Sequence, residues 1–221
     1  PDKIQERNIS QSTKIYDLKG ETVLYDVHGE ERRTLVKLAE IPDAVKWATL
    51  AAEDRDFYTH HGVKITGMIR AVIVNTLKGY KAQGGSTITQ QFVKKAILTS
   101  EKTYTRKIKE VVLAYQIEKK FSKDEILQMY LNEIPYGSVS YGVESASQTY
   151  FAKSVKDVTL PEAAILAAMI KAPSYYSPFG SHRGELVSRE QYILDQMAEL
   201  GYITKDAAEA VKKQELKFAK R

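Results

Sequence analysis

Residues 41–62, IPDAVKWATLAAEDRDFYTHHG, are where the chain changes from a strand pattern to a helical one. Pro42 suits the first turn of a helix, because its fixed φ is helical and the missing N–H has no partner to lose there. In AVKWATLAAEDRDF apolar residues recur three and four positions apart, which predicts a helix with one apolar face. Upstream, STKIYDLKGETVLYDVHGEERRTLV alternates apolar and polar residues around Lys19-Gly20 and His28-Gly29, the pattern of short strands joined by turns. Downstream the reading is mainly helical. The expected fold is therefore mainly α, with an N-terminal β element and lead-in over residues 1–40 and a helical domain over 41–221.

A chain of 221 residues can bury a large core without staples. It has no cysteine, which removes disulfides, thiolate metal sites and thiol catalysis. Thirty-three Lys and Arg against 28 Asp and Glu give a net charge of +5, which favours anionic partners such as phosphates or acidic headgroups. No stretch approaches the roughly 20 apolar residues that cross a bilayer. The opening PDKIQERNIS lacks the apolar run of a signal peptide. The protein is expected either to be soluble or to have lost an anchor upstream of Pro1, and a start without Met favours an excised fragment.

Further along, Ile65, Met68, Ile69, Val72, Ile73 and Leu77 form a broad apolar stripe flanked by Lys78, Tyr80 and Lys81. Periodicity alone favours a buried core helix; the sharper reading is a surface that dips into a lipid interface. Gly84-Gly85 breaks this segment, and Ser86 or Thr87 can cap the helix that follows. A helix is predicted from Thr105 to about Lys120, and Ser122 with Glu125 makes a capping box for the next. LPEAAILAAMIKAPSYYSP reads as a buried helix opened by Pro161 and closed before Pro173, and ITKDAAEAVKKQELKFAKR as a charged amphipathic helix with a solvated basic end. No internal repeat, low-complexity segment or linker is present.

Chemistry concentrates in two places. Glu53 and Asp54 end an apolar helical run and are followed by Phe57-Tyr58 and His60-His61-Gly62. A carboxylate among apolar and aromatic side chains loses hydration and becomes a better proton acceptor near neutral pH, as a general base requires. Alone, Glu53 would read as an exposed helix-end acid, and the histidines as turn residues rather than metal ligands. Glu110 lies in TRKIKEVV, with Arg106 and Lys107 on the same helical face. The plain reading is a surface ion-pair ladder; the functional one gathers Lys94, Lys102, Arg106 and Lys107 around a diphosphate, with Glu110 holding the cations or helping to bind a metal. GGSTITQQ lacks the Lys of a Walker loop. The chain has no S-x-x-K, G-x-S-x-G or H-E-x-x-H, so acid/base chemistry by carboxylates remains.

In order and spacing, EDRDFYTHHG, GGSTITQQ, RKIKE and KDEILQMYLN closely resemble the first four signature motifs of the peptidoglycan glycosyltransferases, the glycan-polymerising domains of class A penicillin-binding proteins and the monofunctional transglycosylases. The resemblance runs from about Ile41 to Leu200. The fifth motif departs: where the family shows two adjacent basic residues before a V-L pair, this chain has Arg189, Glu190 and then Ile193-Leu194.

The resemblance implies a lysozyme-like, two-lobed helical fold, with head and jaw lobes within residues 41–221 and the Ile65–Leu77 stripe at the membrane. It implies lipid II and the growing lipid-linked glycan strand as substrates, polymerised into β-1,4-linked strands with inversion and release of undecaprenyl diphosphate. Glu53 matches the general base and Glu110 a second glutamate of less settled role. Lys94, Lys102, Arg106, Lys107, Ser86, Thr87, Gln90 and Gln91 match the donor-binding set, with Asp54, Phe57, His60 and Asn132 as further substrate contacts. No cofactor is required, although a divalent Mg or Mn ion can assist. The place of action is the outer face of the bacterial cytoplasmic membrane, other cell-wall synthesis proteins are potential partners, and nucleic acid is not one. The competing readings are a lysozyme-like muramidase or lytic transglycosylase, and a basic helical module that binds nucleic acid or membrane.

Overall fold

The computed structural model describes residues 13–16, 23–27, 32–64, 85–98, 104–137 and 140–219. Lys102 and the stripe residues Ile65, Met68, Ile69, Val72, Ile73 and Leu77 lie outside them. The chain divides into two compact units, one of Glu53–Tyr130 and the other of the stretches before and after it. The described residues hold eight α-helices and four short strands, the mainly helical class that the spacing predicts.

The unit before Ala52 and after Leu131 begins with an antiparallel pair, β1 (Thr13–Tyr16) and β2 (Val23–Val27), where the alternation predicted strands. Next, β3 (Arg32–Arg33) runs parallel to β4 (Ser140–Tyr141). A buried ion pair holds this contact: Arg33 meets Glu133 at 2.5 Å and lies over the Tyr141 ring. Asn132 fixes the segment that follows, since its side-chain oxygen accepts the Val36 N–H and its NH2 donates to the Val36 carbonyl. Helix α1 (Asp43–Glu53) starts at Pro42, whose carbonyl accepts the first helical N–H groups.

The core of this unit is α6 (Leu160–Ile170), opened by a capping box between Thr159 and Glu162 with Pro161 in its first turn. Ile165, Leu166 and Met169 are fully buried, each worth about 1.5–3 kcal/mol of burial. Helix α7 (Arg183–Glu199) packs on α6, and α8 (Lys205–Lys212) on α7. Helix α5 (Val143–Phe151) follows Gly142 (φ +77°), where a Cβ would stand 2.7 Å from the Asn132 carbonyl oxygen. The C-terminal segment differs from expectation: α8 ends at Lys212, and residues 213–219 do not continue the helix. Phe218 stacks on Phe151, and the Ala219 N–H donates to the Tyr150 carbonyl, so an aromatic contact outweighs helical propensity there.

The divergent fifth motif also serves packing. Arg189 donates from Nε to the Ala168 carbonyl, one of the last carbonyls of α6 that the helix cannot satisfy itself. Glu190 is 2% exposed, and its burial pushes the carboxyl up to about 7, with Lys212 opposing only in part. A carboxyl whose folded value is raised supplies its stability below pH 4.5, and that stability is lost as pH rises toward 7. The loss is on the order of 2 kcal/mol after solvent screening. Glu190→Gln is expected to raise the melting temperature at pH 8 by several degrees and to leave it unchanged at pH 4, as thermal melts at the two pH values would read. Equal melting temperatures at pH 8 would rule this out.

Candidate active site

The unit Glu53–Tyr130 carries most of the predicted site residues. Glu53 closes α1 and is half-buried. Its Oε2 accepts a hydrogen bond of 3.0 Å from Gln91 Nε2, and Gln91 Oε1 in turn accepts from the Tyr130 hydroxyl at 3.1 Å. Gln91 belongs to α2 (Ile88–Ala96), which has Thr87 as N-cap and Gln90 closing the capping box. Thr87 and Gln90 are consequently buried and engaged with each other, so that of the two glutamines it is Gln91 that meets Glu53.

Asp54 is 4% exposed and ties the turn after Glu53 to α2. Its Oδ2 accepts from the Ile88 N–H at 3.0 Å and lies 2.9 Å from His60 Nε2, while Lys64 is 2.9 Å from Oδ1. Burial pushes the carboxyl up, but His60, the Ile88 amide and Lys64 together hold it below the usual aspartate value. His60 Nδ1 accepts the Gly62 N–H, which leaves Nε2 as the protonated nitrogen facing Asp54. Gly62 adopts φ +80°, and a Cβ there would stand 2.9 Å from the Ala114 carbonyl oxygen. Its own carbonyl accepts from Thr87 Oγ1 at 2.6 Å, so the glycine lets the turn touch both neighbouring helices. Phe57 is buried between Tyr58 and His60, with the Lys123 ammonium 4.5 Å from its ring centre.

The basic residues stand on α2 and α3 (Tyr104–Lys120), which pack together. Lys107 donates to Ser86 Oγ at 2.9 Å and pairs with the buried Glu110. Partial burial, then the charges of Lys95 and Arg106, hold Lys94 below the usual lysine range. A cation depressed by like charges marks a place where an anion would be welcome. Asn132 is not in this unit; both ends of its amide are taken by Val36. Among the described residues no three His, Asp or Glu side chains gather as a metal ion would need.

Sequence reading missed three participants: Tyr130, Lys64, and a chain from Thr89 to Glu118 (2.5 Å) to Lys123 (2.6 Å) that ties α2 and α3 to the start of α4 (Lys123–Glu133). Tyr130 lay within the quoted KDEILQMYLN, but nothing local marks its hydroxyl as facing Gln91.

A family model described as "Transglycosylase" matches residues 20–198. This chain belongs to the transglycosylase family. The transglycosylase chain is 46% identical over 205 residues to penicillin-binding protein 1A of Neisseria flavescens, covering 92% of this chain and 25% of that protein. It is 43% identical over 218 residues to the Neisseria gonorrhoeae protein of the same name (98% and 27% covered), and 46% identical over 199 residues to that of Aquifex aeolicus (90% and 27%). The chain thus spans about a quarter of the length of the curated relatives it matches. Its fold is similar to the crystal structure of penicillin-binding protein 1A from Haemophilus influenzae, at a TM-score of 0.54 and 27% identity over 96% of this chain and 22% of that one. As a transglycosylase domain of the penicillin-binding protein 1A type, the chain is a peptidoglycan glycosyltransferase.

Proposed function

We propose that this chain polymerises lipid II, with Glu53 as general base. The observation that carries the reading is the grouping, within one unit, of a half-buried carboxylate oriented by Gln91 with Lys94, Arg106 and Lys107 on the two adjoining helices. Glu53 takes the proton from the 4-hydroxyl of the acceptor sugar as that oxygen attacks the anomeric carbon of the lipid-linked donor. The bond from that carbon to the diphosphate oxygen breaks, and the electron pair leaves with undecaprenyl diphosphate. Such a leaving group needs positive charge more than a proton donor, which Lys94, Lys102, Arg106 and Lys107 supply. Attack from the face opposite an α-linked donor gives the β-1,4 product.

Glu110 and Ser86 hold the Lys107 ammonium in place. Thr87 and Gln90 shape the donor loop through the α2 cap, and Asp54, Phe57 and His60 brace the turn behind Glu53; Asn132, in the other unit, pins Val36. The apolar flank of a lipid substrate suits the Ile65–Leu77 stripe, which would rest on the outer face of the cytoplasmic membrane, where other cell-wall synthesis proteins could be met. Among the described residues no helix is long and apolar enough to cross a membrane.

The test is incubation of the chain with labelled lipid II in detergent and separation of the glycan products on a gel. Long polymer is expected. Disaccharide-sized products from preformed glycan, with no polymer from lipid II, would instead restore a hydrolytic reading.

A further inference from the structure

We infer that Tyr130 is a positioning residue for this reaction: its hydroxyl anchors the Gln91 side chain and, through it, the carboxylate of Glu53. The inference rests on Glu53 being the base. Tyr130 is wholly buried on α4, at a place where the ring of a phenylalanine would fill the same volume. What needs a reason is the hydroxyl, and it is spent on Gln91 Oε1.

Gln91 is half-buried, and its long side chain has several rotamers to choose from. A carboxylate only accepts hydrogen bonds, so Glu53 can use one end of that amide, the NH2. Tyr130 holds the opposite end. With both ends engaged the amide plane is fixed, and donation into the amide oxygen polarises the group, which strengthens its N–H toward Glu53.

The anchor itself is rigid. The start of α4 is closed by the Ser122–Glu125 capping box, Tyr58 donates to Asp124 at 2.8 Å, and Lys123 reaches Glu118, which accepts from Thr89 on the same helix as Gln91. Tyr130 and Gln91 thus sit on helices that are cross-tied, and the two hydrogen bonds transmit that fixed geometry to the base. Removing the hydroxyl frees Gln91 to swing away, leaving Glu53 at the end of α1 without this donor.

The experiment is a double-mutant cycle in the full 221-residue chain, with lipid II kinetics for wild type, Tyr130→Phe, Gln91→Leu and the pair. Tyr130→Phe is expected to lower kcat about tenfold with KM within about twofold, the size of one well-placed hydrogen bond. In the Gln91→Leu background the same change is expected to cost nothing more. A purely structural tyrosine would act equally in both backgrounds; that result, or wild-type kcat in Tyr130→Phe, overturns the inference. A wild type that forms no polymer would count against the activity instead, and the relay would then be judged by the side-chain amide resonances of Gln91. Tyr130→Phe is expected to shift them and to speed their exchange with water; unmoved resonances overturn the relay independently of turnover.

Discussion

Glu53→Gln is expected to reduce polymer formation from lipid II about a thousandfold while leaving the melting temperature within a degree or two of wild type. The size follows from the role: a positioned general base contributes typically 10²–10⁴-fold, and an amide cannot take up the proton of the attacking hydroxyl. The unchanged stability follows from the geometry. Glutamine has nearly the volume of glutamate, and its carbonyl oxygen can still accept the 3.0 Å hydrogen bond from Gln91, so that donor keeps its acceptor. Glu53 is also half-exposed, so the change creates no buried unpaired charge. Gel analysis of the glycan beside a thermal melt separates the two effects. Retention of a tenth or more of wild-type turnover would remove Glu53 from the role of base, whatever the melt shows.

The second large effect is expected at Asp54, on folding first and on turnover as a consequence. Three donors converge on its carboxylate: the Ile88 N–H, His60 Nε2 and the Lys64 ammonium. In Asp54→Asn one oxygen becomes an NH2, so a site built for an acceptor-only group gains donors facing donors, and the Lys64 ammonium is left with only its exposed partner Asp56. A cost of about 2–4 kcal/mol is expected, read as an earlier urea midpoint. The sign of the pH effect is fixed by the same contacts. The folded carboxyl lies below its ordinary value of 3.8, so its stabilisation is present above that pH and is lost as pH falls through the lower folded value. The gap between wild type and variant should therefore close in strong acid. Because Asp54 ties the turn after Glu53 to the first N–H of α2, the variant should also let Gln91 drift from the base and lose kcat. A variant as stable as wild type at pH 7 would show that the three contacts add nothing net.

Much of this was legible in the linear sequence because the signals are local. Pro42 opening α1, Ser122 with Glu125 ahead of α4, and Pro161 in the first turn of α6 all act within one helical turn, and each stands where the residue types placed it. The proposed base and the cationic residues beside it were named from motif and composition. What was not readable is which way each group points. Gln90 and Gln91 are adjacent and identical in type, yet one is sealed in a cap and the other touches Glu53, a difference set by the angle at which α2 meets its neighbours. Asn132 sits in a quoted motif, but its amide is consumed by Val36, a residue 96 positions away. Phe218 lies in a charged, helix-prone run, and contacts with Phe151, Phe179 and Arg183 draw it back onto the fold.

By itself, then, the sequence determined the helical class, the places where helices start, and the residue types proposed as a base and a bed of positive charge, because propensity, capping and charge are properties of short segments. Tertiary structure alone decided the burial of Glu190, the three donors around Asp54 and the link from Tyr130 through Gln91 to Glu53. Each of these depends on the distance between atoms far apart in the chain, and such distances are set by how helices pack, not by the order of the residues along any one of them.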